Sequence, residues 1–129
     1  MKFNKNIQDL IPTMKKWRQT IHSFPEIAYE EYKTAEFIEK KLKEFGIKVI
    51  KNIGKTGLVG ILEGKKQSSK SIGLRADMDA LPMDEKTNLS YSSKNLGKMH
   101  ACGHDGHVTM LLGAAKILSE DKNFSGKVY

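Results

Sequence analysis

Residues 98–110, KMHACGHDGHVTM, gather three of the chain's four histidines, His100, His104 and His107, with its only cysteine, Cys102. Thiolate and neutral imidazole are both ligands for zinc and its first-row neighbours. One residue separates Cys102 from His104, so in a strand-like loop both side chains point to the same side and can converge on one ion. The apolar run beginning after Asp105 reads as a helix, and a helix N-terminus carries partial positive charge that favours a thiolate beside it. Gly103 and Gly106 leave the backbone free to curl around an ion. Two ligands do not close a site, because structural zinc takes four and catalytic zinc at least three from protein. His100 or His107 could supply a third, or residues outside the chain could. Against metal binding stands the ordinary role of a lone histidine as a hydrogen-bonded structural group, and of Asp105 as a helix cap. One cysteine and three histidines inside eight residues outweigh that reading.

Upstream, GLRADMDALPMDE places Arg75, Asp77 and Asp79 at the end of an apolar, strand-like run. In open α/β sheets ligands bind beyond the carboxyl ends of strands. A carboxylate there can hydrogen-bond a metal-bound histidine or a nucleophilic water. It can equally cap the loop and pair with Arg75, and the chemistry alone does not separate the two.

These residues need elements to hold them. Apolar spacing predicts a helix over NIQDLIPTMKKWRQTIHSF, with Ile7, Leu10, Ile11, Met14, Trp17 and Ile21 facing inward. Pro12 near its start either kinks it or marks its first turn, and Pro25 ends it. A second helix is predicted in EEYKTAEFIEKKLKEFG, with Tyr32, Ala35, Ile38, Leu42 and Phe45 inward and Gly46 as the stop. IKVIKN, LVGILEG and SIGLRAD then read as strands, the last buried on both faces. GKKQSSK, residues 64–70, reads as a polar surface turn. Residues 77–101 lack a period and form a long loop, a length usually tied to function. From Asp105 a helix resumes with Val108, Leu111, Leu112, Ala115 and Leu118 as its apolar stripe, and Gly113 permits close packing. SGKVY opens a further strand. Two helices followed by alternating strands and helix around a central sheet define an α/β fold.

Composition narrows the classes. With 129 residues, 39% hydrophobic and 29% charged, the chain has the balance of one soluble domain. The opening MKFNKNIQDLIPTMKKW has no continuous apolar run, so no signal peptide is expected, and no stretch reaches the length of a membrane span. A single cysteine makes no internal disulfide, as expected in a cytoplasm. The net charge of +7 comes from 22 basic residues of which only Arg18 and Arg75 are arginine. Lysines scattered between apolar helical positions read as solvated faces, and nucleic-acid binding is not expected.

Taken together, RQTIHSFPEIAYEEYKTAEFI, GLRADMDALPMDE and MHACGHDGHVTMLLGAAKIL resemble the aminoacylase-like metallopeptidase family. The nearest branch holds the amidohydrolases that include hippurate hydrolase, N-acetyldiaminopimelate deacetylase and the indole-acetyl-amino-acid hydrolases. The resemblance runs from Trp17 through Tyr129. It implies that residues 1–129 are the incomplete N-terminal part of a zinc-peptidase-like catalytic domain, with the satellite, dimer-forming domain absent. It implies hydrolysis of the amide bond of N-acyl amino acids, using two divalent metal ions (zinc, manganese, cobalt or nickel). It carries metal ligation to Cys102 and His104, and support of the site to Asp77. His22, Pro25 and Glu26 match an early family motif to which no chemistry is assigned here. His22, at a helix C-terminus, is favourably placed for the helix dipole. The family's general-base glutamate, its neighbouring ligand and two later histidines have no counterpart in the chain. The resemblance therefore implies activity only in a longer chain, with a non-catalytic α/β fragment of residual metal binding as the alternative. A small-molecule substrate, a homodimer for the longer protein and a cytoplasmic location complete the expectation, with no membrane partner.

Overall fold

The computed structural model describes residues 5–129. The reading of the N-terminus as free of a signal peptide therefore falls partly outside the described residues. Helix α1 spans Lys5–Ser23, α2 Tyr32–Glu44 and α3 His104–Asp121; strands are β1 Lys48–Ile53, β2 Gly57–Glu63, β3 Lys66–Ile72 and β4 Ser125–Val128. The strands form one sheet in the order β1-β2-β4-β3. β1 and β2 make an antiparallel hairpin, β4 runs antiparallel to β2, and β3 lies parallel to β4 at the edge. This is the expected mixed α/β architecture. Among the described residues no helix is long and apolar enough to cross a membrane.

The core is built where the helical stripes meet β2. Leu10, Trp17 and Ile21 of α1, Leu42 of α2, Ile47, Leu62 of β2, and Val108 and Leu112 of α3 are all buried and in one cluster. Burying a large aliphatic side chain contributes about 1.5–3 kcal/mol, so these eight residues fix how α1 and α3 sit together. At Gly113 a Cβ would come within 2.7 Å of the Met14 methyl, which is the close approach its position in the sequence suggested.

Several expectations need correction. The inward face of α1 is narrower than the apolar spacing implied: Ile7 and Ile11 are exposed, because the stripe through Leu10, Met14, Trp17 and Ile21 already meets the core. Pro12 lies inside α1 and not in its first turn, so the helix runs on past a residue that cannot donate its backbone hydrogen bond. On α2, Tyr32 is exposed, and the buried residue of its first turn is Thr34.

The larger correction concerns residues 64–77. Of GKKQSSK, read as a turn, residues 66–70 belong to strand β3; of SIGLRAD, read as a doubly buried strand, Ser71 and Ile72 end β3 and GLRAD is extended chain without a ladder. Every residue of β3 is exposed, so side-chain burial does not drive it; pairing of its backbone with β4 does. That pairing ends when Leu74 N–H donates to the Tyr129 carbonyl at 2.8 Å. Beyond it, Leu74, Ala76 and Met78 line the wall of an apolar cleft of about 650 Å³ shared with Leu62, Val108 and Leu112.

The 77–101 loop has no regular element but is tied down throughout. Ala80 N–H donates to the Glu26 carbonyl, Leu81 and Met99 exchange backbone hydrogen bonds, and Lys94 N–H donates to the Ser23 carbonyl. The Asn95 amide donates to the Pro25 carbonyl and the Ser23 hydroxyl to the Tyr91 carbonyl. The loop is thus stitched to the turn between α1 and α2. That turn is itself fixed by Glu26, whose carboxylate accepts from the Lys33 and Thr34 N–H groups and the Thr34 hydroxyl, capping α2 from outside the helix.

Candidate metal centre

α3 begins at His104, directly after Gly103 in the left-handed conformation, φ +85°. His104 and His107 are three residues apart and so share a face of the helix. Their rings stack with centroids 5.3 Å apart. The loop brings Asp77 up to both. His107 Nδ1 and Asp77 Oδ1 are 2.6 Å apart, and His104 Nε2 is 3.6 Å from Asp77 Oδ2. One nitrogen or oxygen from each of Asp77, His104 and His107 lies within 4.8 Å of the others, the one such triad among the described residues.

The far side of His104 is also held. Its Nδ1 lies 2.9 Å from the Asp79 backbone carbonyl and 3.0 Å from Asp79 Oδ1. A carbonyl only accepts, so Nδ1 carries the proton and Nε2, facing Asp77, is left with the lone pair. A histidine backed by a carboxylate and presenting the other nitrogen is the arrangement of a metal ligand. The hydrogen bond from His107 is the main reason the Asp77 carboxyl sits below its ordinary range, with the nearby His104 adding to it. Arg75, largely exposed, stands 3.7 Å away.

Of the residues the sequence singled out, Asp77 and His104 are therefore brought together. Cys102 is a free, exposed thiol, outside the Asp77, His104 and His107 triad. His107, one of two candidates for a third donor, joins the triad. His100, the other, is buried outside it with neither ring nitrogen partnered, and burial pushes its imidazole below the ordinary value. The three-residue spacing of His104 and His107 on a helix was a signal that could have selected between them. His22 does more than face a helix dipole. It is buried, with Asp105 on one nitrogen and Glu85 on the other.

As a donor set, one carboxylate and two imidazoles suit a single divalent ion of the zinc type. A pair of ions needs more donors than these.

Comparison with known proteins bears on the family and the fold. Residues 73–129 match the model of Peptidase family M20/M25/M40. Over 120 residues the chain is 56% identical to the hippurate hydrolase of Campylobacter jejuni, covering 93% of this chain and 31% of that protein. A crystal structure of a putative aminohydrolase from methicillin resistant Staphylococcus aureus superposes with a TM-score of 0.91 at 38% identity, over 96% of this chain and 33% of that one. The Bacillus subtilis YXEP protein, a dinuclear metal binding peptidase from the M20 family, gives 0.88 at 34% identity, over 94% of this chain and 34% of its own. These matches bear out the resemblance read from the sequence: residues 73–129 fit the M20/M25/M40 peptidase model, and the chain is similar to amidohydrolases and peptidases of that kind. It spans about a third of the length of the relatives it matches.

Proposed function

We propose that this chain supplies the N-terminal part of the catalytic domain of a metal-dependent amidohydrolase that cleaves N-acyl amino acids, hippurate-like or N-acetylated. The observation that carries the reading is the convergence of Asp77, His104 and His107 at the start of α3. Cys102 and His104 are assigned as ligands, Asp77 as the carboxylate that supports the site, and Asp79 as the group that orients His104 through Nδ1. His107, bonded to Asp77, holds that carboxylate in place. In the longer protein two divalent ions, drawn from zinc, manganese, cobalt and nickel, would supply Lewis-acid chemistry that lowers the pKa of a water and polarises the amide carbonyl. The proton of that water needs a general base, and no residue of this chain is assigned to it. Loss of such a base removes ~10²–10⁴-fold in rate, so residues 1–129 alone are expected to be inactive. The dinuclear description of the YXEP relative supports the count of ions, and the hippurate hydrolase relative supports the substrate class. A cytoplasmic location and a dimer of the longer protein are part of the same reading.

The test is metal analysis and hydrolysis of hippurate and N-acetyl amino acids by the longer protein and by residues 1–129. Metal-dependent turnover by the longer protein, lost in His104→Ala, supports the assignment. Metal uptake without turnover in either would favour a non-catalytic metal-binding domain. Turnover by residues 1–129 that disappears in Cys102→Ala would overturn the claim that the base lies elsewhere.

A further inference from the structure

Asp105 lies between His104 and His107 in the first turn of α3 and has no exposed surface. Its Oδ2 accepts from His22 Nδ1 at 2.8 Å and from Arg18 Nε at 3.2 Å, and its Oδ1 accepts from the Gly106 N–H at 2.9 Å. His22, in the last turn of α1, turns its Nε2 to Glu85 Oε1 at 3.1 Å. Glu85 in turn accepts from the Ser93 N–H at 2.6 Å and from the Thr87 hydroxyl. One buried imidazole therefore joins α1, the first turn of α3 and the 77–101 loop, segments separated by 63 and 83 residues from it.

The N-cap position of α3 is Gly103, and Asp105, inside the first turn, gives only its Oδ1 to a backbone N–H of that turn. The other oxygen and the whole of His22 and Glu85 are surplus to that role. The ring of His22 thus presents one nitrogen to each of two carboxylates. A buried cluster of this kind is a poor substitute for apolar packing as a source of stability. What it does supply is geometry, because each partner fixes the angle of the next.

We infer that His22, Asp105 and Glu85 are positioning residues for the metal centre. They lock the first turn of α3 against the loop that carries Asp77 and Asp79, so that His104 and His107 arrive at Asp77 already aligned. The inference rests on the metal reading given above. None of the clamp's side-chain hydrogen bonds reaches Asp77, His104 or His107, and it acts through the backbone of Asp105 and through the loop.

The test is cobalt(II) titration of the purified protein, followed by the ligand-field absorption, in Asp105→Asn, Glu85→Gln and Leu112→Val. The first two should raise the cobalt dissociation constant by about 10–100-fold, the range for groups that orient ligands, and shift the spectrum. Leu112→Val, a core change about two turns along α3 that touches none of the clamp's hydrogen bonds, should lower thermal stability and leave cobalt affinity as it was. Unchanged affinity in both clamp variants, or an equal loss in Leu112→Val, overturns the inference. Should Asp105→Asn fail to fold, Glu85→Gln decides. If the unaltered protein takes up no cobalt, the metal reading falls, and hydrogen–deuterium exchange of the metal-free protein decides the clamp. Faster exchange confined to residues 79–107 in the clamp variants supports it. No change there, or a rise spread over α2 and the β1–β2 hairpin, overturns it.

Discussion

His104 and His107 stand one turn apart on α3 with stacked rings, and the carboxylate of Asp77 reaches both. The two histidines differ in how they are held. His104 is backed by Asp79 and mostly buried, whereas His107 is half exposed and bonded to Asp77 alone. Replacing His104, the assigned ligand, and Asp77, its support, should have unequal consequences. His104→Ala is expected to weaken metal uptake by more than the ~10–100-fold that follows loss of a supporting group, and Asp77→Asn to fall inside that range. Metal content after dialysis, with a competing chelator to set the scale, measures both. Equal losses would make Asp77 a ligand and not a support.

The pH dependence follows from Asp105. Burial alone would raise its carboxyl, but the hydrogen bond from His22, the Arg18 charge and the Gly106 N–H together bring it below the ordinary 3.8. A carboxyl lowered in the folded state stabilises the fold above its unfolded value, and that contribution is lost as pH falls through the interval below it. Melting temperature should therefore be flat from pH 6 towards 4 as far as this group is concerned and then fall. Asp105→Asn should cost on the order of 3 kcal/mol near neutrality, as breaking a buried charged pair does, and show a shallower acid limb. Parallel acid limbs in the two proteins would assign the acid loss to other carboxylates.

Much of this was legible in the sequence, for a physical reason. Helices announce themselves by period, and Trp17, Ile21, Val108 and Leu112 fall on their buried faces where the spacing puts them. The Cys and His cluster and RADMD are local patterns, so they could be singled out as candidates without a fold. What stayed hidden depends on partners distant in the chain. β3 is polar and exposed, and only β4, more than 50 residues on, makes it a strand. His22 and Glu85 look like an ordinary helix end and an ordinary loop acid until Asp105 is brought between them. His107 was separable from His100 by helical spacing, but its bond to Asp77 crosses 30 residues.

The β3–β4 pairing gives a direct structural test at Gly126. Its φ is +86°, and an added Cβ would meet the Lys70 carbonyl oxygen at 2.1 Å. Both the left-handed backbone and the contact exclude a side chain, and the obstacle is backbone, which cannot rotate aside. Gly126→Ala should destabilise the protein by about 1–3 kcal/mol, the range for a strained backbone position, and raise exchange of the β3 amides. Gly113→Ala is the contrasting case, since the atoms in its way belong to the flexible end of Met14. It should be tolerated far better, and a denaturant series on the two variants would show the difference.

His100 gives the last test, because it is buried without a partner on either ring nitrogen. An unsatisfied buried polar group costs roughly 1–3 kcal/mol, and replacing it by an apolar side chain of similar size recovers part of that. His100→Leu should therefore match or exceed the stability of the unaltered protein when both are melted with metal chelated. Its cobalt affinity should be unchanged, since His100 lies outside the Asp77, His104 and His107 triad. Restored stability together with lost cobalt binding would move His100 into the metal centre and add it to the assigned ligands. Lower stability with intact binding would mean that the two nitrogens hold a buried water whose hydrogen bonds outweigh its ordering.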